Sequence, residues 1–153
     1  MRVARSSLTL PATVHEAETC WYDTALWPSW VEGLERVVAV EAPWPRAGGR
    51  VIWQSGPAGR GRVVETALEY VQLEGQMAEV QDDSIKGRQH VAFNPVDGGV
   101  EVVLTLEYEL KRKSLLMPVV DVLFIRRAMT TSLATTLSRF GAELSTRTAR
   151  APY

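Results

Sequence analysis

Thiols are the scarcest reactive groups in this sequence: Cys20 is the only cysteine among 153 residues. No disulfide can close within the chain, and a four-thiolate zinc site is excluded. A reducing cytoplasm is the expected setting. Histidine is nearly as rare, with only His15 and His90, so no metal is expected. Excess charge is missing too. Lys and Arg number 17 against 18 Asp and Glu, a net charge of −1, which argues against a general electrostatic grip on nucleic acid. A local basic run does occur at Lys111, Arg112 and Lys113.

Long apolar runs are also absent. Nothing reaches the roughly 18 consecutive apolar residues of a membrane span; the nearest stretch, Leu115 to Ile125, contains Pro118 and Asp121. The first residues, with Arg2 and Arg5, lack the continuous apolar core of a secretion signal. Nucleophile-elbow, phosphate-loop, dinucleotide-binding and H-E-x-x-H patterns are missing, so no cofactor is expected and no catalytic residue is named by a motif.

What remains is the composition of a globular protein, 46% hydrophobic and 23% charged, consistent with one domain over residues 1–153. Val3 to Leu10 reads as a strand closed by Pro11. Thr13 and Glu16 then have capping-box spacing, and Val14, Ala17 and Trp21 share a face of a short helix running to about Asp23. Leu26 to Val31, interrupted by Pro28, reads as a bend or a second short helix. From Leu34 the period becomes two. Strands are expected from Leu34 to about Pro43, at Val51–Ser55 with Trp53, at Arg62–Val71, at Gln76–Gln81 and at Lys86–Phe93. After a turn through Asn94, Pro95, Asp97, Gly98 and Gly99 comes the clearest strand, with Val100, Val102, Leu104, Leu106, Tyr108 and Leu110 facing inward. Within Arg62–Val71, the set Val64, Thr66, Leu68 and Tyr70 is placed inside for its larger apolar area, and Val63, Glu65, Ala67 and Glu69 outside.

The chain ends in a long helix, Leu115 to about Thr148, roughly 45 to 50 Å at 1.5 Å per residue. Val119, Val122, Leu123, Met129, Leu133, Leu137, Phe140 and Leu144 fall on one face, with Asp121, Ser132, Arg139 and Glu143 opposite. Arg126 interrupts the apolar face, with Thr130 one turn on. The fold class is therefore α+β: a curved antiparallel sheet of about six to seven strands wrapped around the terminal helix, with two short helices after the first strand.

This order resembles the helix-grip fold of START-like lipid-transfer domains, pollen-allergen-like proteins and polyketide cyclase/dehydrases. The residues carrying the resemblance are Asp23 with Trp27, Pro28, Ser29 and Trp30; Gly48 and Gly49 before a strand; Phe93, Asn94, Pro95, Gly98, Gly99 and Val100 around a turn; and the long helix. The resemblance implies a cavity between sheet and helix that holds a hydrophobic or amphipathic small molecule such as a lipid or polyketide. Some members cyclise polyketides and others bind or carry a ligand, and the family has no catalytic signature to transfer residue by residue.

Arg126 is the sharpest candidate ligand-binding residue. In an apolar cavity its guanidinium can fix a carboxylate, phenolate or enolate; alternatively it pairs with a protein carboxylate or reaches the rim. Thr130 and Val122 accompany it on the helix, with Met129. Arg62 falls inward by strand parity. Trp30, Trp53, Tyr70, Phe93 and Tyr108 line a pocket or pack as plain core. Gln89 shares parity with Val91 and Phe93, which turns His90 outward; a register shift of one would bring His90 in as an acid or base. The wide apolar start of the helix, with Leu116, Phe124 and Ile125 beside the basic run, caps the sheet, forms a cavity mouth, touches a membrane transiently or docks a second subunit as a homodimer.

Overall fold

The computed structural model describes residues 2–57, 59–111 and 119–150, with backbone alone for 119–125 and 150. The element order is β1 (Arg2–Leu10), α1 (Val14–Tyr22), a 3-10 turn (Thr24–Leu26), α2 (Trp27–Trp30), β2 (Leu34–Glu41), β3 (Arg50–Ser55), β4 (Arg62–Val71), β5 (Gly75–Gln81), β6 (Ile85–Val96), β7 (Gly99–Leu110) and α3 (Val119–Arg150). The strands form one seven-stranded sheet in the order β1-β7-β6-β5-β4-β3-β2, every neighbouring pair antiparallel. Because β1 and β2 occupy opposite edges, α1 and α2 form a strap from one edge to the other. The sheet curves, and α3 packs along its concave face.

Local chemistry starts α1 as its sequence requires. Thr13 Oγ1 accepts from the Glu16 amide at 3.1 Å, and Glu16 Oε1 accepts from the Thr13 amide at 3.0 Å, the reciprocal capping box. Ala17, Cys20 and Trp21 turn inward and are buried. Glu18 is buried as well, its Oε2 accepting the amide of Leu73 in the β4–β5 turn at 2.8 Å. Pro28 stands in the first turn of α2, where its missing amide hydrogen leaves no helical bond unmade.

The core lies where α1, α2 and α3 meet the sheet. Trp21 sits 4.7 Å from Trp30 and 5.0 Å from Phe140, centroid to centroid, and Trp30 lies 5.1 Å from Phe140. These tilted and edge-on arrangements suit aromatic quadrupoles. Leu133, Leu137, Phe140 and Leu144 of α3 are buried as their spacing predicts, and so is every expected inward residue of β7. Gly141 lets α3 approach β1: an added Cβ would stand 3.0 Å from side-chain carbons of both Leu8 and Leu10. At Gly49, a Cβ would collide with the Trp44 backbone nitrogen, so a glycine is sterically required there ahead of β3.

Two expectations need correction. The β4 faces are reversed: Val63, Glu65 and Ala67 are buried, whereas Val64 and Thr66 are only partly covered and Leu68 is 37% exposed. A bulge between Ala67 and Glu69 then flips the parity again, bringing Tyr70 opposite the buried Gln76. In addition, β6 runs on to Val96, with Asn94 and Pro95 paired to Glu101 and Val100, so the turn narrows to Asp97 and Gly98. Gly98 supplies its positive φ of 77°. No helix among the described residues is long and apolar enough to cross a membrane.

Candidate functional site

Between the middle of α3 and strands β3 to β7 lies a narrow cleft of about 40 Å³. Its walls are aromatic where Trp21, Trp27, Trp30 and Trp53 border it, and polar where Glu32, Arg60, Glu65, Gln89, Ser132 and Thr136 do. An open groove of about 680 Å³ adjoins it on the surface, lined by Arg127, Met129, Thr131, Thr135 and Arg139 of α3. Glu32, Arg60 and Ser132 border both spaces. The cleft alone has room for about two or three water-sized groups, whereas the groove has the volume of a small-molecule pocket.

Glu65 is the most unusual group in the cleft. It is 7% exposed, and its Oε2 accepts from Trp53 Nε1 at 2.7 Å. The two residues come together because Trp53 pairs with Val63, placing Glu65 diagonally across from it on the same face. Burial pushes the Glu65 carboxyl above the usual carboxylate range, opposed in part by the Trp53 hydrogen bond and by the Arg60 charge. Arg60 lies 5.7 Å from the Trp53 ring centroid and donates through Nε to Asp82, whose other oxygen accepts the amides of Ser84 at 2.8 Å and Ile85 at 2.9 Å. Its Nη2 is buried with no hydrogen-bond partner among the described residues, and so is Trp30 Nε1. Buried donors without acceptors are uncommon enough to need a reason.

The mouth is clasped to α3 by Glu32. Its amide donates to Thr136 Oγ1 at 3.0 Å, and its Oε2 accepts from Ser132 Oγ at 2.7 Å. Although its spacing predicts the solvent face of α3, Ser132 is half-buried because the loop after α2 folds over it.

Of the residues singled out from sequence, Trp30, Trp53 and Gln89 border the cleft, and Met129 borders the groove. Phe93 and Tyr108 are buried in the core. The Tyr108 hydroxyl has no partner among the described residues, and burial raises its pKa. Tyr70 packs edge-on against Tyr22 at 5.4 Å. Arg126 and Thr130, expected to project into the cavity, are exposed and border neither space; the Thr130 hydroxyl donates to the Arg126 carbonyl at 3.2 Å. Among the described side chains of α3, those bordering the cleft begin at Ser132 and the fully buried ones at Leu133, so the turn holding Arg126 stands clear of the cleft. Arg62 is exposed on the outer face, a direct result of the reversed β4 parity. His90 is exposed, in the register that turns Gln89 inward. Leu116, Arg112 and Lys113 lie outside the described residues, as do the side chains of Val122, Phe124 and Ile125. Burial pushes the Cys20 thiol up to about 11, which suppresses the reactive thiolate. No group of three or more His, Cys, Asp or Glu side chains suited to a metal occurs among the described residues.

Glu65, Arg60, Glu32, Ser132 and Thr136 were missed as site residues. For Glu65 a signal existed: a buried tryptophan needs an acceptor for its N–H, and a glutamate diagonal to Trp53 on the next strand can supply one.

Comparison with known proteins agrees with this architecture. The sequence pattern described as polyketide cyclase / dehydrase and lipid transport matches residues 1–145. The chain belongs to that family. Among solved structures, a protein from Thermus thermophilus is similar at 19% identity and a TM-score of 0.73, over 98% of this chain and 100% of that one. The di-domain ARO/CYC protein StfQ of the steffimycin biosynthetic pathway matches at 18% identity and a TM-score of 0.74, over 96% of this chain and 51% of its own. A START superfamily protein from Mycobacterium smegmatis matches at 12% identity and a TM-score of 0.71, over 94% of this chain and 97% of that one. At such identities the likeness establishes the fold alone. No curated protein matches significantly in sequence.

Proposed function

We propose that this polyketide cyclase/dehydrase-family chain binds a hydrophobic or amphipathic small molecule between α3 and the sheet, as a carrier or binding protein. The observation that carries the reading is continuity: the groove of about 680 Å³ meets the aromatic cleft at Glu32, Arg60 and Ser132. A ligand's bulk lies in the groove, over Met129, and one end reaches the tryptophans. An acidic group on it is better served by Arg127 and Arg139 than by Arg126, because they line the groove and form no ion pair among the described residues. The same proposal places the protein in the cytoplasm, where Cys20 stays reduced.

The test is native mass spectrometry of the protein purified from its own source, followed by thermal shifts with acyl and aromatic polyketide-like compounds. A co-purified small molecule, or a melting temperature that climbs with ligand concentration, supports the reading. Absence of both overturns it.

One observation favours a second reading, a cyclase/dehydratase-type enzyme acting in the same cleft. Glu65 is a buried carboxyl with raised proton affinity on the cleft wall, as a general acid requires. Turnover of a polyketide-like substrate that collapses in Glu65→Gln, with binding retained, would establish it; a substrate returned unchanged by the wild-type protein would exclude it.

A further inference from the structure

The cleft beyond the groove is too small to hold a lipid or a polyketide, yet it is rich in hydrogen-bond donors. Trp30 is 1% exposed and its indole N–H has no acceptor among the described residues. Arg60, anchored through Nε by Asp82, keeps a buried Nη2 equally unpaired among them. The Trp53 N–H is already taken by Glu65. Trp30 and Arg60, which carry these two unpaired donors, and Glu65 all border the cleft of about 40 Å³. An apolar ligand end would leave both donors unpaired, a cost that an oxygen acceptor removes.

We infer that the cleft is an oxygen-acceptor pocket: it takes the carbonyl end of a ligand whose body lies in the groove, with Trp30 Nε1, Arg60 Nη2 and the Glu65 carboxyl as the donors that select it. This inference rests on the binding reading above and narrows it to ketones, aldehydes and other carbonyl-terminated molecules. The volume agrees, since about 40 Å³ admits one such group and little else. The electrostatics agree as well. Burial favours the neutral form of Glu65, which can donate. Arg60 and Glu32 are the only other charged groups bordering the cleft among the described residues, the strands and α3 adding uncharged side chains there.

Two probes of matched shape test this: acetylnaphthalene, which carries a carbonyl, and ethylnaphthalene, which does not. Tryptophan quenching gives the affinities, and the infrared carbonyl stretch reports hydrogen bonding directly. The wild-type protein should bind the ketone about tenfold more tightly than the hydrocarbon, with its carbonyl band moved to lower frequency. Trp30→Phe keeps a ring in the core and should lose most of both effects. Should Trp30→Phe fail to fold, Glu65→Gln gives an independent reading. The wild-type preference for the ketone falls as pH rises and Glu65 ionises, whereas the amide keeps a donor at every pH and the dependence disappears. Equal affinities with an unshifted band would overturn the oxygen-acceptor pocket and leave the binding reading standing. No binding of either probe would overturn both.

Discussion

The two long sides of α3 are built from opposite materials. One presents Leu133, Leu137, Phe140 and Leu144 to Trp21, Trp30 and the sheet, all buried. The other, one residue away at each turn, presents Ser132, Thr135, Thr136 and Arg139 to Glu32, the cleft and the groove. The first seam is dry and interlocked; the second is hydrogen-bonded and borders open space. A single helix thus separates the task of holding the fold from the proposed task of meeting a ligand, and substitutions on its two sides should have different consequences.

Phe140→Ala is the severest test. It removes a fully buried ring packed against two tryptophans, so urea denaturation should show a loss of about 3–5 kcal/mol. A loss below about 1 kcal/mol would mean the dry seam is not what holds α3. Next is Glu65→Ala, which leaves the Trp53 N–H buried without its acceptor and should destabilise by about 1–3 kcal/mol. Glu65→Gln retains an acceptor and behaves differently. The folded protein holds the Glu65 proton more tightly than the unfolded chain, so the contribution of Glu65 to stability is greatest in acid. It falls as pH rises from the ordinary carboxylate range through the raised value, a slope that Glu65→Gln should lack. Parallel pH profiles for the two proteins would contradict a neutral, buried Glu65.

The wet seam should respond more weakly in stability and more strongly in exchange. Ser132→Ala removes the hydroxyl that holds Glu32 and should lower stability by about 1 kcal/mol at most. Stopped-flow measurement should show faster ligand release, because the clasp at the mouth is loosened. The double substitution Arg127→Ala with Arg139→Ala should leave stability within about 0.5 kcal/mol. Its affinity for acidic ligands should drop, together with the salt dependence of their binding, and unchanged affinity would remove the groove arginines from the site.

Much of the fold was legible because its signals are local. The capping box at Thr13, the alternation of β7 and the spacing of Leu133, Leu137, Phe140 and Leu144 depend on near neighbours in sequence, and each is found as read. The site was less legible. Glu65 looked like a solvent-facing carboxylate because its strand was judged by apolar area, and the parity of β4 is fixed by pairing with Trp53 and by the bulge after Ala67. Arg60 lies in a turn with no periodicity to read, and its orientation depends on Asp82, across the β5–β6 turn. Arg126 drew attention because it broke an apolar stripe, yet it is exposed, and among the described side chains of α3 the fully buried ones begin at Leu133. A helical wheel gives direction around the axis and says nothing of where along it the partner surface begins.

The edge strand β1 carries one further consequence. Leu10 pairs with Val100 and Arg2 with Tyr108, so the earliest strand of the sheet has its neighbour in the latest one. Until β7 emerges from the ribosome, β1 has no ladder to join, and α3, which follows β7 in the chain, is not yet made. Folding of this chain therefore waits on contacts between segments far apart in sequence, the situation in which closure is slow and nascent strands are open to mispairing.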